Sequence, residues 1–198
     1  EILKPYGRKF APDPASVKSA MVGGIIANNA SGMNCGTHAN SDKVMLSARI
    51  ILSDGTILDT GDEKSRHDFI HSHPEFIQKI ESVRDRIRKD SELVSRIRRK
   101  YSIKNVVGLN LFPFIEYDDP FDIIAHSIVG SEGTLAFLSE VTMKTEEDLP
   151  YKASAMVYFS DIREACKAVV AMKKAPVVNA EMLDKKSLQS VNDTTGEG

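Results

Sequence analysis

The chain has 198 residues, 41% of them hydrophobic and 27% charged, enough apolar material for one good-sized domain, or for one domain and part of a second, and too much for a disordered polymer. A formal net charge of -2 gives no overall basic field, hence no reason to expect a nucleic-acid partner. Cys35 and Cys166 lie far apart and form no CxxC pair, which argues against a zinc site and a disulfide scaffold and for a reducing, cytoplasmic setting. The sequence has no apolar run of about 18 residues and no signal-peptide pattern, so no transmembrane segment is expected; peripheral attachment at an inner membrane is compatible with this.

In chain order, residues 1–14 carry three prolines and no start methionine, and read as an extended lead-in cut from a longer chain, with no preceding element to pack against. Residues 21–36, MVGGIIANNASGMNCG, hold Gly23, Gly24, Gly32 and Gly36 together with Asn28, Asn29, Asn34 and Ser31. Such backbone takes positive φ and approaches other surfaces closely, and its N–H groups can converge on an anion such as phosphate. A loop-rich turn between core elements has the same composition. Residues 44–52, the Asp54-Gly55 pair and Ile57-Leu58 predict an antiparallel hairpin closed by a type I′ turn.

The period turns helical over 72–101. Ser72 and Glu75 predict a capping box around Pro74, with Ile77, Ile80, Val83 and Ile87 on one face; Leu93, Val94, Ile97 and Tyr101 mark a second segment after a break at Asp90-Ser91. Arg84, Arg86, Arg88, Arg96, Arg98 and Arg99 suit either a patch for an anionic substrate or acidic partner, or a solvated face shared with Asp85, Asp90 and Glu92. His67 and His71 are four apart, a metal-ligand spacing on a helix, but the HExxH glutamate is missing and Pro74 interrupts the segment, so no metal is expected. Residues 104–111 read as a turn-containing loop. Asp119 before Pro120 predicts a helix start, and Gly130 to Thr134 a second glycine-flanked turn leading into a strand over 135–144. Past a boundary at Leu149-Pro150, a strand over 151–159, a helix over 161–174, a strand over 177–183 and a helix capped by Asp184 open an α+β unit of ferredoxin-like type. The GxGxxG, P-loop and GxSxG patterns are missing, so a nucleotide-like ligand needs another scaffold.

Three stretches in order, PDPASVKSAMVGGIIANNASGMNCG (12–36), RIILSDGTILDT (49–60) and IVGSEGTLAFLSEVTMKT (128–145), resemble the FAD-linked oxidases of the vanillyl alcohol oxidase superfamily. The most similar branch holds D-lactate dehydrogenase, D-2-hydroxyglutarate dehydrogenase and the flavin subunit of glycolate oxidase. The wording of DPAS and ANNASGM is nearest to large bacterial members that also carry iron-sulfur modules. The resemblance covers 5–148 and implies an α+β fold: the second half of a PCMH-type FAD-binding domain, an antiparallel sheet with flanking helices, over 1–148, then the beginning of a ferredoxin-like substrate (cap) domain over 149–198.

The resemblance also implies FAD contacts at Met21, Gly23, Gly24, Ala27, Asn28, Asn29, Ser31, Gly32 and Gly36, and in the second turn at Gly130, Glu132, Gly133 and the backbone of Phe137. In the family another phosphate loop precedes this region and the catalytic histidines follow the cap, so no catalytic residue is assigned. The implied reaction is hydride transfer from a D-2-hydroxy acid to flavin, with electrons passed to a quinone or iron-sulfur module. Without the family, the residues suit a non-enzymatic nucleotide-binding or interaction module.

Overall fold

The computed structural model describes residues 2–32, 38–106, 108–172, 174–175 and 177–195, which fall into two units, Glu1–Asp148 and Leu149–Gly198. In the first, β2 (Met45–Ile51) is the central strand of a three-stranded antiparallel sheet, between β3 (Ile57–Asp59) and β4 (Phe137–Met143). Strict alternation from Met45 would turn Ala48 and Ile50 away from the core. A register shift against β4 between Met45 and Ser47, with Leu46 the extra residue on β2, resets the phase, so Met45, Ala48 and Ile50 are all buried while Leu46 is exposed; a second shift, between Arg49 and Ile50, leaves Ser139 of β4 as the extra residue.

The expected β2–β3 hairpin forms, but its turn is not type I′. Gly55 alone has positive φ, at 86°; its N–H donates to the Leu52 carbonyl at 3.0 Å and Leu52 N–H to the Thr56 carbonyl at 2.9 Å. This is the three-residue loop in which a type I turn is followed by a left-handed glycine. The lead-in also differs from expectation. It forms β1 (Arg8–Phe10), paired antiparallel with β5 (Thr145–Glu147), because the partner that the local sequence lacks arrives about 135 residues later.

On the sheet lies α7 (Pro120–Ile128), whose N-cap Asp119 accepts from Phe121 N–H as predicted. Its Phe121, Ile124, Ala125 and Ile128 join Ile26, Ile50, Leu58, Phe69 and Ile77 in the main core. The predicted capping box does not exist. A helix not anticipated from sequence, α3 (Glu63–Ser72), ends at Ser72, whose Oγ donates back to the Asp68 carbonyl at 2.9 Å. Thus α4 (Pro74–Lys89) starts from His73 without a side-chain cap. Asp90 breaks the helix as expected and caps α5 (Ser91–Lys100), accepting from Leu93 N–H. Ile87, Ile97 and Ile115 form a second core where α4 and α5 meet α6 (Pro113–Glu116).

Two of the arginines have an internal task. Arg88 donates to the carbonyls of Phe114 (2.9 Å) and Tyr117 (2.7 Å), and Arg84 to that of Asp118 (2.5 Å). They satisfy carbonyls in and just after α6 that its short hydrogen-bond ladder leaves without donors, and the Arg88 guanidinium lowers the pKa of the Asp118 carboxyl.

In the second unit α8 (Ile162–Met172) and α9 (Lys185–Thr195) form where expected, each with an aspartate before it: Asp161 accepts from Arg163 N–H, and Asp184 from Ser187 N–H, both at 2.7 Å. The strands expected over 151–159 and 177–183 do not pair, since neither finds a ladder partner within the unit and a strand is stable only by pairing. Among the described residues no helix is long and apolar enough to cross a membrane.

Ile50 is fully buried and Ile57, on the neighbouring strand, is 60% exposed. Ile50→Ala is expected to destabilise the protein by about 2–5 kcal/mol and Ile57→Ala by under about 0.5 kcal/mol, both read from urea midpoints.

Candidate cofactor site

The glycine-rich stretch is less of a loop than its composition suggests. Its paired glycines lie in α1 (Val22–Ala27), which begins at an extended Met21 with no side-chain cap, leaving the N–H groups of its first turn without intrahelical acceptors. The helix closes in a Schellman arrangement. Asn29, at φ 49°, donates its N–H to the Ile26 carbonyl at 2.8 Å, and Ala30 N–H reaches the Ile25 carbonyl at 2.8 Å. Asparagine tolerates the left-handed conformation that this cap needs, and Asn29 Oδ1 then accepts from Asp42 N–H at 3.3 Å at the start of α2 (Ser41–Val44).

The second glycine turn docks on the end of this helix. Gly130 N–H donates to the Ile26 carbonyl at 3.3 Å and Glu132 N–H to the Ala27 carbonyl at 2.9 Å, while Asn28 Nδ2 donates to Glu132 Oε1 at 2.7 Å across 104 residues of sequence. Gly130, Glu132 and Gly133 have φ of 82°, 54° and 75°. For glutamate that conformation is strained, and the bonds to α1 hold it.

The glycines have different reasons to be glycines. A Cβ on Gly32 would overlap the Asp13 carbonyl, so that position serves the chain's own close approach; on Gly23 it would lie 3.5 Å from the Leu138 carbonyl of β4. Among the described residues a Cβ at Gly24 or Gly133 would meet nothing within 4 Å. Met21 is 82% and Phe137 67% exposed beside them, Phe137 opening β4 opposite Ile51. Ala27 and Ser31 are half-buried. Gly36 lies outside the described residues. The structure therefore brings Ala27 and Asn28 to Glu132 and sets Gly23 against β4, and gives Asn29 and Gly32 internal roles besides. Sequence reading took 104–111 for a turn-containing loop and did not place it beside the glycine turns. Lys104 Nζ donates to the Gly32 carbonyl at 3.4 Å, and the Gly108 carbonyl would lie 3.7 Å from a Cβ on Gly130.

Beneath the turns is a buried polar layer. The His126 ring stacks on Tyr117 with centroids 4.3 Å apart, its Nδ1 lying 3.4 Å from the Tyr117 hydroxyl. Burial lowers the His126 pKa to about 4, helped by the Lys43 charge and opposed by a hydrogen bond with the Asp42 backbone. Burial, then the charges of Glu116, Asp42 and Asp122, raises Tyr117 to about 12; burial also raises the Asp42 carboxyl.

The other histidines are elsewhere. His67 and His71 share a face of α3 with ring centroids 4.3 Å apart, and among the described residues no group of three His, Cys, Asp or Glu could hold a metal. His73 stacks on Phe69 and its Nε2 lies 3.2 Å from Asp54 Oδ2, fastening the α3–α4 junction to the hairpin.

An anionic dinucleotide needs donors for phosphate and backbone with no side chain in the way, which matches the first turn of α1 and the open Gly24 and Gly133. Residues 1–61 match the FAD binding domain family, and residues 149–198 match the C-terminal domain of FAD linked oxidases. The two matched stretches are similar to domains of FAD-linked oxidases. It is 28% identical to the D-2-hydroxyglutarate dehydrogenase of Haemophilus influenzae and 27% to that of Escherichia coli, each over 95% of this chain and 19% of the relative. It is 24% identical to the D-lactate dehydrogenase of Archaeoglobus fulgidus, over 97% of this chain and 32% of the relative. The chain thus spans about a fifth of the length of the first two curated relatives.

His126 must stay neutral to remain buried. Because its folded pKa lies below the ordinary 6.5, the unfolded chain binds the extra proton between pH 6.5 and about 4, so stability is complete above that window and falls through it as pH drops. The full effect is at most about 3 kcal/mol, offset at the acid end by Asp42. Urea midpoints across pH 4–7 are expected to show this decline, and His126→Gln to flatten it.

Proposed function

We propose that this chain is part of an FAD-dependent dehydrogenase that oxidises a D-2-hydroxy acid of the D-2-hydroxyglutarate, D-lactate or glycolate kind. The observation that carries the proposal is the hydrogen-bonded joint between α1 and the 130–133 turn, which sets two open glycines on a shared framework. The names of the relatives supply the substrate class. FAD, when bound, supplies the redox chemistry by taking a hydride from the α-carbon of the hydroxy acid.

The residues of this chain would hold the cofactor. The N–H groups of Val22, Gly23 and Gly24 would donate to its phosphates; Met21, Ala27, Asn28, Asn29, Ser31 and Gly32 would line the first turn, and Gly130, Glu132, Gly133 and the Phe137 backbone the second. Residues 1–148 would be the C-terminal part of the FAD-binding domain and 149–198 the beginning of a ferredoxin-like cap, whose strands 151–159 and 177–183 would pair with strands from the rest of that domain. A quinone or an iron-sulfur module elsewhere in the protein would receive the electrons, in a cytoplasmic enzyme or one attached peripherally at the inner membrane.

The test is flavin content in the full-length protein. Gly24 does not have positive φ, so Gly24→Val adds no left-handed strain and acts by filling space that a Cβ finds empty. It is expected to lose most bound flavin while its thermal midpoint in the apo form stays within a few degrees of the wild type. Gly32→Ala, which collides with Asp13, is expected to lower that midpoint, and His67→Ala with His71→Ala to leave flavin content unchanged. A Gly24→Val protein at full flavin occupancy would overturn the site, and a wild-type protein that oxidises no D-2-hydroxy acid would overturn the activity.

A further inference from the structure

We propose that the C-terminal half of α5, with Ile103 just beyond it, is a docking surface for an anionic lipid bilayer. This deepens the second of the two locations named above, the peripherally attached one, and rests on that reading alone. Charge is unevenly placed in this chain. From Leu93 to Val106 the sequence holds Arg96, Arg98, Arg99, Lys100 and Lys104 and no Asp or Glu, although the net charge of the whole is -2. Arg49, Arg66, Arg84 and Arg88 each pair with an aspartate. Among the described residues, by contrast, the exposed side chains of Arg96, Arg98, Arg99 and Lys100 enter no ion pair.

A solvated helix face normally mixes the two signs, as α4 does with Glu81, Asp85, Arg86 and Lys89. On α5 the inward side is taken by Ile97, buried with Ile87 and Ile115, and Arg96, Arg99 and Lys100 stand at i, i+3 and i+4, where like charges repel. Cations in a last turn favour the helix dipole, but an external anion relieves this crowding. Past the helix, Ile103 is 71% exposed. Tyr101 holds the chain there through its ring contact with Phe112, 5.6 Å between centroids, and a hydrogen bond with the Leu111 backbone; Leu111 itself is 41% exposed. Cations beside exposed aliphatic side chains suit the boundary of a bilayer, where the phosphates meet the charges and the apolar side chains enter the headgroup layer. An acidic protein is the other occupant that charge allows. The bilayer is favoured because it offers phosphates and an apolar phase side by side without needing a matching contour. Unpaired cations are costly to bury, so the rest of the protein could cover this face only by bringing carboxylates to it.

The experiment co-sediments the full-length protein with vesicles of phosphatidylcholine, alone or mixed with phosphatidylglycerol, at low and high NaCl, and records bound flavin and thermal midpoint for every variant. Wild type is expected to bind the mixed vesicles, to leave them at high NaCl and to ignore phosphatidylcholine alone. Each cation near such a surface contributes about fivefold to partitioning. Arg96→Gln, Arg99→Gln and Lys100→Gln together are therefore expected to lower it about hundredfold, with flavin content and midpoint unchanged, and Ile103→Ser to lower it about fivefold. Arg86→Gln with Lys89→Gln, on the mixed face of α4, is expected to stay within about threefold of wild type. If wild type binds neither kind of vesicle, the attached location falls with this inference and the dehydrogenase reading stands. If wild type binds and the triple variant binds equally well, or if the α4 pair loses as much as the triple variant, the surface is not the one on α5 and the inference falls. A triple variant with a lowered midpoint marks a face packed inside the protein and overturns it as well.

Discussion

The site depends on the docking of the 130–132 turn onto the C-terminal end of α1. A helix end leaves carbonyls without intrahelical donors; here Ala27 finds its donor in Glu132, and Ile26, already accepting from Asn29 in the cap, takes a second bond from Gly130. In return the turn is kept in a conformation that glutamate does not favour, with φ of 54° at residue 132. Holding a non-glycine residue there costs on the order of 1–3 kcal/mol. Two backbone bonds net about 0.5–1.5 kcal/mol each, with a smaller share from the exposed Asn28–Glu132 bond, so the gain and the cost are comparable. The alignment of the two glycine segments is therefore a property of the joint and belongs to neither segment alone.

That joint rests on a platform of mixed character. Ile26 belongs to the main core with Ile50, Leu58 and α7, which fixes α1 against the sheet by apolar burial. Asn29 ties the same helix end to α2, and the layer of Asp42, His126 and Tyr117 lies below. In that layer burial works against every charged form, lowering the pKa of the histidine and raising those of the aspartate and the tyrosine.

The arginine-rich helices show how far charge alone misleads. Their sequence suggests either an anion-binding patch or a solvated face, yet Arg84 and Arg88 donate to main-chain carbonyls between Phe114 and Asp118. A planar guanidinium with several donors can satisfy two or three carbonyls at once, and these two residues fix the chain leaving α6 so that Asp119 can cap α7. Arg84 and Arg88 thus follow neither reading alone: they serve the fold.

The sequence by itself determined the elements whose signals are local. The Asp54-Gly55 hairpin, the Asp90 break, the Asp119-Pro120 helix start and the two aspartates before α8 and α9 were all legible, because a cap or a turn is decided by a few adjacent residues. The glycine turns were legible too, as backbone kept bare for a purpose. Only the tertiary structure decided which glycine serves what: Gly32 yields to Asp13 and Gly24 to open space, a difference set by contacts between distant segments. It also decided the β1–β5 pairing, the shift that turns Ala48 and Ile50 inward, the use of Ser72 to finish α3, and the failure of 151–159 to pair. Each of these depends on a partner that the neighbouring residues do not specify. Periodicity states which residues could be buried or paired; which of them are depends on loop closure and on the geometry of what arrives from elsewhere in the chain.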